Sequence, residues 1–146
     1  MSKKYELTNE MIKVNGVVLH RIKALGDFSD VKAGDLGGWV ESDDNLSHNG
    51  NAWVSGDARV SGNAEVFGNA WVFGDAHILI VGPIGSRNDY TTFCRAKDNV
   101  ITVTCGCFHG SIYAFEAQVK TVHGDNKYCK EYMLAIELAK CHIDLS

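Results

Sequence analysis

Basic runs are missing: 14 Lys and Arg are scattered among 18 Asp and Glu for a net charge of −4, which argues against nucleic acid as a partner. Missing too is any stretch long and apolar enough to span a bilayer, so no membrane partner is expected. The opening Met1-Ser2-Lys3-Lys4-Tyr5-Glu6 carries no apolar leader core. The five cysteines show neither paired Cys-x-x-Cys knuckles nor a secreted disulfide spacing, which fits a reducing compartment. A cytoplasmic protein without cofactor or metal is the expectation. Proline occurs once, at 83, where the most regular part of the chain stops.

What is present is a repeat of six residues. Val54-Ser55-Gly56-Asp57-Ala58-Arg59, Val60-Ser61-Gly62-Asn63-Ala64-Glu65, Val66-Phe67-Gly68-Asn69-Ala70-Trp71 and Val72-Phe73-Gly74-Asp75-Ala76-His77 align without a gap. The period fits neither a helix nor a single strand's alternation. It fits a solenoid of short strands and turns, with Val and Ala pointing inward and Gly-Asn or Gly-Asp at the corners, where positive φ is tolerated. These units resemble the hexapeptide-repeat family. That resemblance implies a left-handed parallel β-helix of triangular section, in which residues eighteen apart stack: Trp53 over Trp71, Ser55 over Phe73, Asp57 over Asp75 and Arg59 over His77. On it, Trp53, Phe67, Trp71 and Phe73 form an outer apolar strip, covered by the chain's own flanks or by another copy in a dimer or trimer.

At 146 residues the chain is one compact unit or two small ones. Asn15-Gly16 between two β-prone runs predicts a hairpin over Met11–Ile22, placed to cap the open end of the solenoid. After Pro83 the period gives way to Tyr90–Arg95 and Val100–Cys105 as strands, then a helix from a Ser111 cap to about Val122, a Gly124 stop, and a second helix after Asp125. The expected architecture is therefore mainly β with C-terminal α+β. Residues 1–47 supply a hairpin and lead-in coil, 48–83 the β-helix, and 84–146 a ββαα module. Together with Gly34-Asp35-Leu36-Gly37-Gly38-Trp39, Gly85-Ser86-Arg87 and Cys105-Gly106-Cys107-Phe108, the repeats look like those of small hexapeptide-repeat proteins encoded by phages and prophages. That implies an infected bacterial host as the setting.

Three places can carry chemistry. Gly82–Thr92 has two glycines for close backbone approach, donors on Ser86, Arg87, Asn88 and Thr92, and Tyr90 to stack on a base. Arg87 suits a phosphate or carboxylate, Gly106 and Gly110 around Phe108 and His109 can form a facing wall, and the competing reading is an ordinary linker. The loop has no phosphate-loop lysine and helix. The second place is the Cys/His set, Cys94, Cys105, Cys107, His109, His123, Cys129, Cys141 and His142, which reads better as packed thiols than as a zinc site. The third is His77, a potential base for the acyl transfer that hexapeptide folds are known for, and otherwise an outward residue near Arg59. No catalytic residue is assigned. The expected role is non-enzymatic capture of a small anionic, nucleotide-like ligand, as a counter to host defence; the alternatives are a module that blocks a host protein, and an acyltransferase.

Overall fold

The computed structural model describes residues 3–96, 99–106 and 108–145. They are mainly β, with two helices at the C-terminal end. Asn15 and Gly16 take φ of 52° and 85°, the left-handed geometry that a two-residue hairpin turn requires, and join β1 (Tyr5–Val14) to β2 (Val17–Ala24). The hairpin thus reaches further back than expected. Its β2 pairs antiparallel with β3 (Leu36–Val40).

With β3 the coil begins. Val40 lies opposite Val60 in the parallel pairing of β3 with β5 (Arg59–Val60). Leu46 forms a parallel bridge with Val66. β4 (Trp53–Val54) runs parallel to β6 (Trp71–Val72), Trp53 opposite Trp71 and Val54 opposite Val72. Val40, Leu46, Val54, Val60, Val66 and Val72 are each at most 1% exposed, and Ala52, Ala58, Ala64 and Ala70 at most 3%. The inward set is the one the period predicts, and each such valine contributes roughly 1.5–3 kcal/mol of burial. Gly56, Gly62 and Gly68 turn the corners at φ of 59°, 61° and 66°. One corner uses a side chain instead. Asn45, fully buried, accepts from the N–H groups of Glu41 and Ser42 and donates to the carbonyls of Gly62 (3.1 Å) and Ala64 (2.9 Å), tying one turn of the coil to the next.

The coil stops before Pro83. A 3₁₀ turn at Asp75–His77 redirects the chain into β7 (Ile78–Ile84), which pairs antiparallel with β8 (Asp89–Arg95). β9 (Ile101–Cys105) and β10 (Phe108–Ser111) complete a sheet of order β10-β9-β8-β7. The module therefore has four strands rather than two. The reason is that β8 lies across the open end of the coil: Cys94 and Ile78 pack into the coil's core, Ala96 bridges Ala70, and the Glu65 N–H donates to Thr92 Oγ1 at 3.1 Å. Residues that continue the aliphatic pattern by type, Ile78 and Ile80, belong to a strand of a different sheet.

Helix α1 (Ile112–His123) starts on the Ser111 side chain, which accepts from Ala114 N, and ends at Gly124 with φ 63°, as the capping signals require. Helix α2 (Lys127–His142) is capped by Asn126, whose side chain accepts from Tyr128 and Cys129. Both pack their apolar sides on Phe93 and Val103 through Phe115, Val119, Tyr132 and Ile136. The end of α2 ties back to the exit of the coil: His142 Nε2 donates to the carbonyls of Asp75 and Ile78, and just past the helix Asp144 N–H donates to Ala76 O.

Candidate functional site

Strand alternation sorts the residues of β8 between two faces. Asp89, Thr91 and Phe93 face the helices, whereas Tyr90, Thr92 and Cys94 face the coil. Phe93 accordingly sits in the helix-side core and Cys94 in the coil's core, where burial pushes its thiol up to about 12. The stretch Gly82–Thr92 is thus the tip and arms of a hairpin, not a linker. Gly85 forms its turn at φ +80°, its N–H donating to Glu131 Oε1 of α2 (2.9 Å), and Asn88 closes the turn with φ 49° and its N–H on Gly85 O. Gly85 also has no room for a side chain, since a Cβ there would stand 2.0 Å from the Tyr132 hydroxyl.

Beside this tip lies a cavity of about 350 Å³. Ser86, Arg87 and Asp89 come from the β7–β8 turn, Cys105, Gly106 and Phe108 from β9 and β10, Phe115, Gln118, Val119, Val122 and His123 from α1, and Tyr132 from α2. Tyr132 is 8% exposed. Its ring meets Phe115 edge-on at 5.6 Å and lies nearly parallel to the His123 imidazole at 5.7 Å. Thr91 Oγ1 donates to Cys105 Sγ (3.3 Å), and Cys105 Sγ donates to Tyr132 Oη (4.0 Å). Burial first, then the neighbouring Cys105, push the Tyr132 phenol up to about 12, so it remains a proton donor at neutral pH. The site thus combines an apolar, aromatic body with a guanidinium and a hydroxyl at its rim, the lining of a small-molecule pocket.

Of the residues expected to bind ligand, Ser86, Arg87 and Phe108 meet here. Four do not. Asn88 is an exposed turn residue, Thr92 is 2% exposed and held by Glu65 N–H, and Tyr90 lines a separate hollow of about 140 Å³ with Asn63 and Glu65. His109, next to Phe108 on β10, points the other way and stacks on Phe67 at 4.0 Å, facing an acidic hollow of about 360 Å³ beside Asp43, Asp44 and Glu65. Alternation could have separated Phe108 from His109 in advance. The helix residues Gln118, His123 and Tyr132 were not legible, because nothing in sequence ties them to a loop thirty or more positions away.

Part of the outer strip is covered by the chain's own flank. Trp53 is 3% exposed, covered edge-on by Tyr5 (6.4 Å) and Phe28 (5.3 Å), so the chain's own N-terminal segment occupies it. Phe67 and Phe73 stay about two-fifths exposed, and Trp71 is half-buried. Arg59 pairs with Asp75 at 2.8 Å. His77 itself is 7% exposed: its Nδ1 accepts from Phe73 N–H, and burial, then Arg95, lower its proton affinity. A ring so engaged is poorly placed as a base. Among the described residues no group of three His, Cys, Asp or Glu is arranged to hold a metal; Cys129 is buried, Cys141 is exposed, and Cys107 lies outside the described residues. No helix among them is long and apolar enough to cross a membrane.

No family model matches the chain. Over 38 residues, 26% of its length, it is 45% identical to the uncharacterized acetyltransferase YdcK of Escherichia coli (strain K12), and that stretch covers 12% of the relative.

Proposed function

We propose that the cavity between the β7–β8 tip and the two helices captures a small anionic, nucleotide-like ligand and releases it unchanged. The observation that carries this reading is the convergence of Arg87 and Ser86 with Phe108, Phe115 and Tyr132 around one hollow of about 350 Å³. Arg87 holds the anion, and the aromatic floor takes a flat ring. In this reading the parallel coil is a left-handed hexapeptide β-helix. It acts as a scaffold in a cytoplasmic phage accessory protein that works against host defence, self-associating through Phe67, Trp71 and Phe73. Native mass spectrometry of protein purified from its host background tests it. The expected result is a bound mass that is lost in Arg87→Ala at unchanged melting temperature and subunit number, and that is recovered intact after denaturation. A bound mass indifferent to Arg87→Ala sinks the proposal.

The similarity to YdcK favours a second reading, acyl transfer. Its chemistry would fall to the Cys105 thiol on the cavity wall rather than to the buried His77. It requires turnover of an acyl thioester that Cys105→Ser abolishes; a ligand recovered unaltered excludes it.

A further inference from the structure

Tyr132 is the most deeply buried polar side chain on the cavity wall, and its hydroxyl is incompletely used. Among the described residues, the hydrogen-bond partner of Oη is the Cys105 thiol at 4.0 Å, which donates to it and leaves the phenolic proton free. The neighbouring carboxylates each have one oxygen engaged elsewhere: Glu131 Oε1 accepts from Gly85 N–H (2.9 Å) and Asp89 Oδ1 from Tyr90 N–H (2.8 Å). A buried donor without an acceptor is costly, and a ligand that supplies one removes that cost. At the rim, Arg87 is the permanent cation among the lining residues and Asp89 stands with it, so the charge it matches is a single anionic group.

The geometry points to Tyr132 as the residue that reads the inner end of the ligand, donating its proton to an oxo group at the purine 6-position or pyrimidine 4-position, so that the cavity selects monophosphates of heterocycles with an oxo group there over those with an amine there. This rests on the reading of the cavity as a ligand site. An exocyclic amine placed there sets donor against donor, because the Cys105 S–H already takes up an acceptor position on Oη. Sites built around one such hydrogen bond reject the analogue that cannot make it.

The test titrates guanosine, uridine, adenosine and cytidine 5′-monophosphates calorimetrically into the wild-type chain, Tyr132→Phe and Arg87→Ala. Tyr132→Phe keeps the ring against Phe115 and His123, and its melting curve verifies that it folds. Expected is an affinity at least about tenfold higher for the guanosine and uridine compounds, reduced to near parity in Tyr132→Phe, with Arg87→Ala weakening all four alike. A preference that survives in Tyr132→Phe, or a wild type that does not discriminate, overturns the assignment to Tyr132 while leaving the cavity a ligand site. A wild type that ignores all four overturns the nucleotide-like ligand itself.

Discussion

The coil and the helix-covered sheet solve the same problem of burial in opposite ways. In the coil, small aliphatics recur at fixed intervals, so each turn is a near copy of the one beneath it, and little room is left for anything but Val and Ala. In the module, large aromatics from distant segments, Phe93, Phe108, Phe115 and Tyr132, meet at edge-on and tilted angles. Repetition fills space uniformly. Irregular aromatic packing leaves a hollow, and the candidate site is in the module for that reason.

The sharpest way to break the coil is Asn45→Ala. It strands the Ser42 N–H and the buried Ala64 carbonyl, and at about 1–3 kcal/mol for each such group left unpaired the expected loss is about 4 kcal/mol. Because Cys94, Ala96 and Thr92 join the two regions, urea unfolding of this variant, followed by far-ultraviolet circular dichroism and by tyrosine fluorescence, is expected to show one coincident transition. Separate transitions would mean that the regions are independent.

Gly85→Ala tests the other side of the comparison. A Cβ 2.0 Å from the Tyr132 hydroxyl, at φ +80°, forces the hairpin tip away from α2, at a cost of about 2–3 kcal/mol. Chemical denaturation gives the loss, and ligand capture should vanish even where the protein still folds. Asn45→Ala, by contrast, acts on stability alone at temperatures where the chain remains native.

The smallest effect is with pH. Lys4, buried with its ammonium on the Ala52 carbonyl (2.6 Å) and over the Phe28 ring, is lowered from 10.5 to about 8 by burial. Above pH 8 the unfolded chain therefore holds the Lys4 proton more tightly than the folded one, and stability rises. The thiol of Cys94 acts with the opposite sign: raised from 9.0 to about 12, its contribution is complete below pH 9 and is lost above it. Tyr5 and Tyr132, both raised by burial, add to that loss above pH 10. Melting temperature should climb by about a degree or two from pH 8 to 9, level off between 9 and 10, where the Lys4 gain and the Cys94 loss offset each other, and fall above 10. Lys4→Met should remove the climb and keep the fall; a flat wild-type profile would refute the assignment.

Much of the architecture was legible because local signals and packing agree. Asn15-Gly16, the Ser111 cap, the Gly124 stop and the inward valines each act through their immediate neighbours. Legibility failed wherever tertiary contact decided the outcome. Asp43-Asp44-Asn45 breaks the period, so the bonds from Asn45 to the next turn cannot be read from spacing. Ile78 and Ile80 fit the repeat by residue type, yet they leave it because β8 closes the coil from below. Trp53 looked outward until Tyr5 and Phe28, more than twenty positions away, were brought over it. The candidate site was half visible for the same reason: its turn residues are contiguous, whereas its floor comes from helices.

Both ends of the coil are covered, by the β1–β2 hairpin at one and by β8 at the other. A stack closed at each end has no free rung on which a further chain could polymerise, yet its middle remains modular. Duplicating residues 54–71 would add one storey between lids that never meet it, moving hairpin and cavity apart by a single strand spacing, about 4.8 Å. Height in this molecule is thus an adjustable dimension, independent of whatever its two covers recognise.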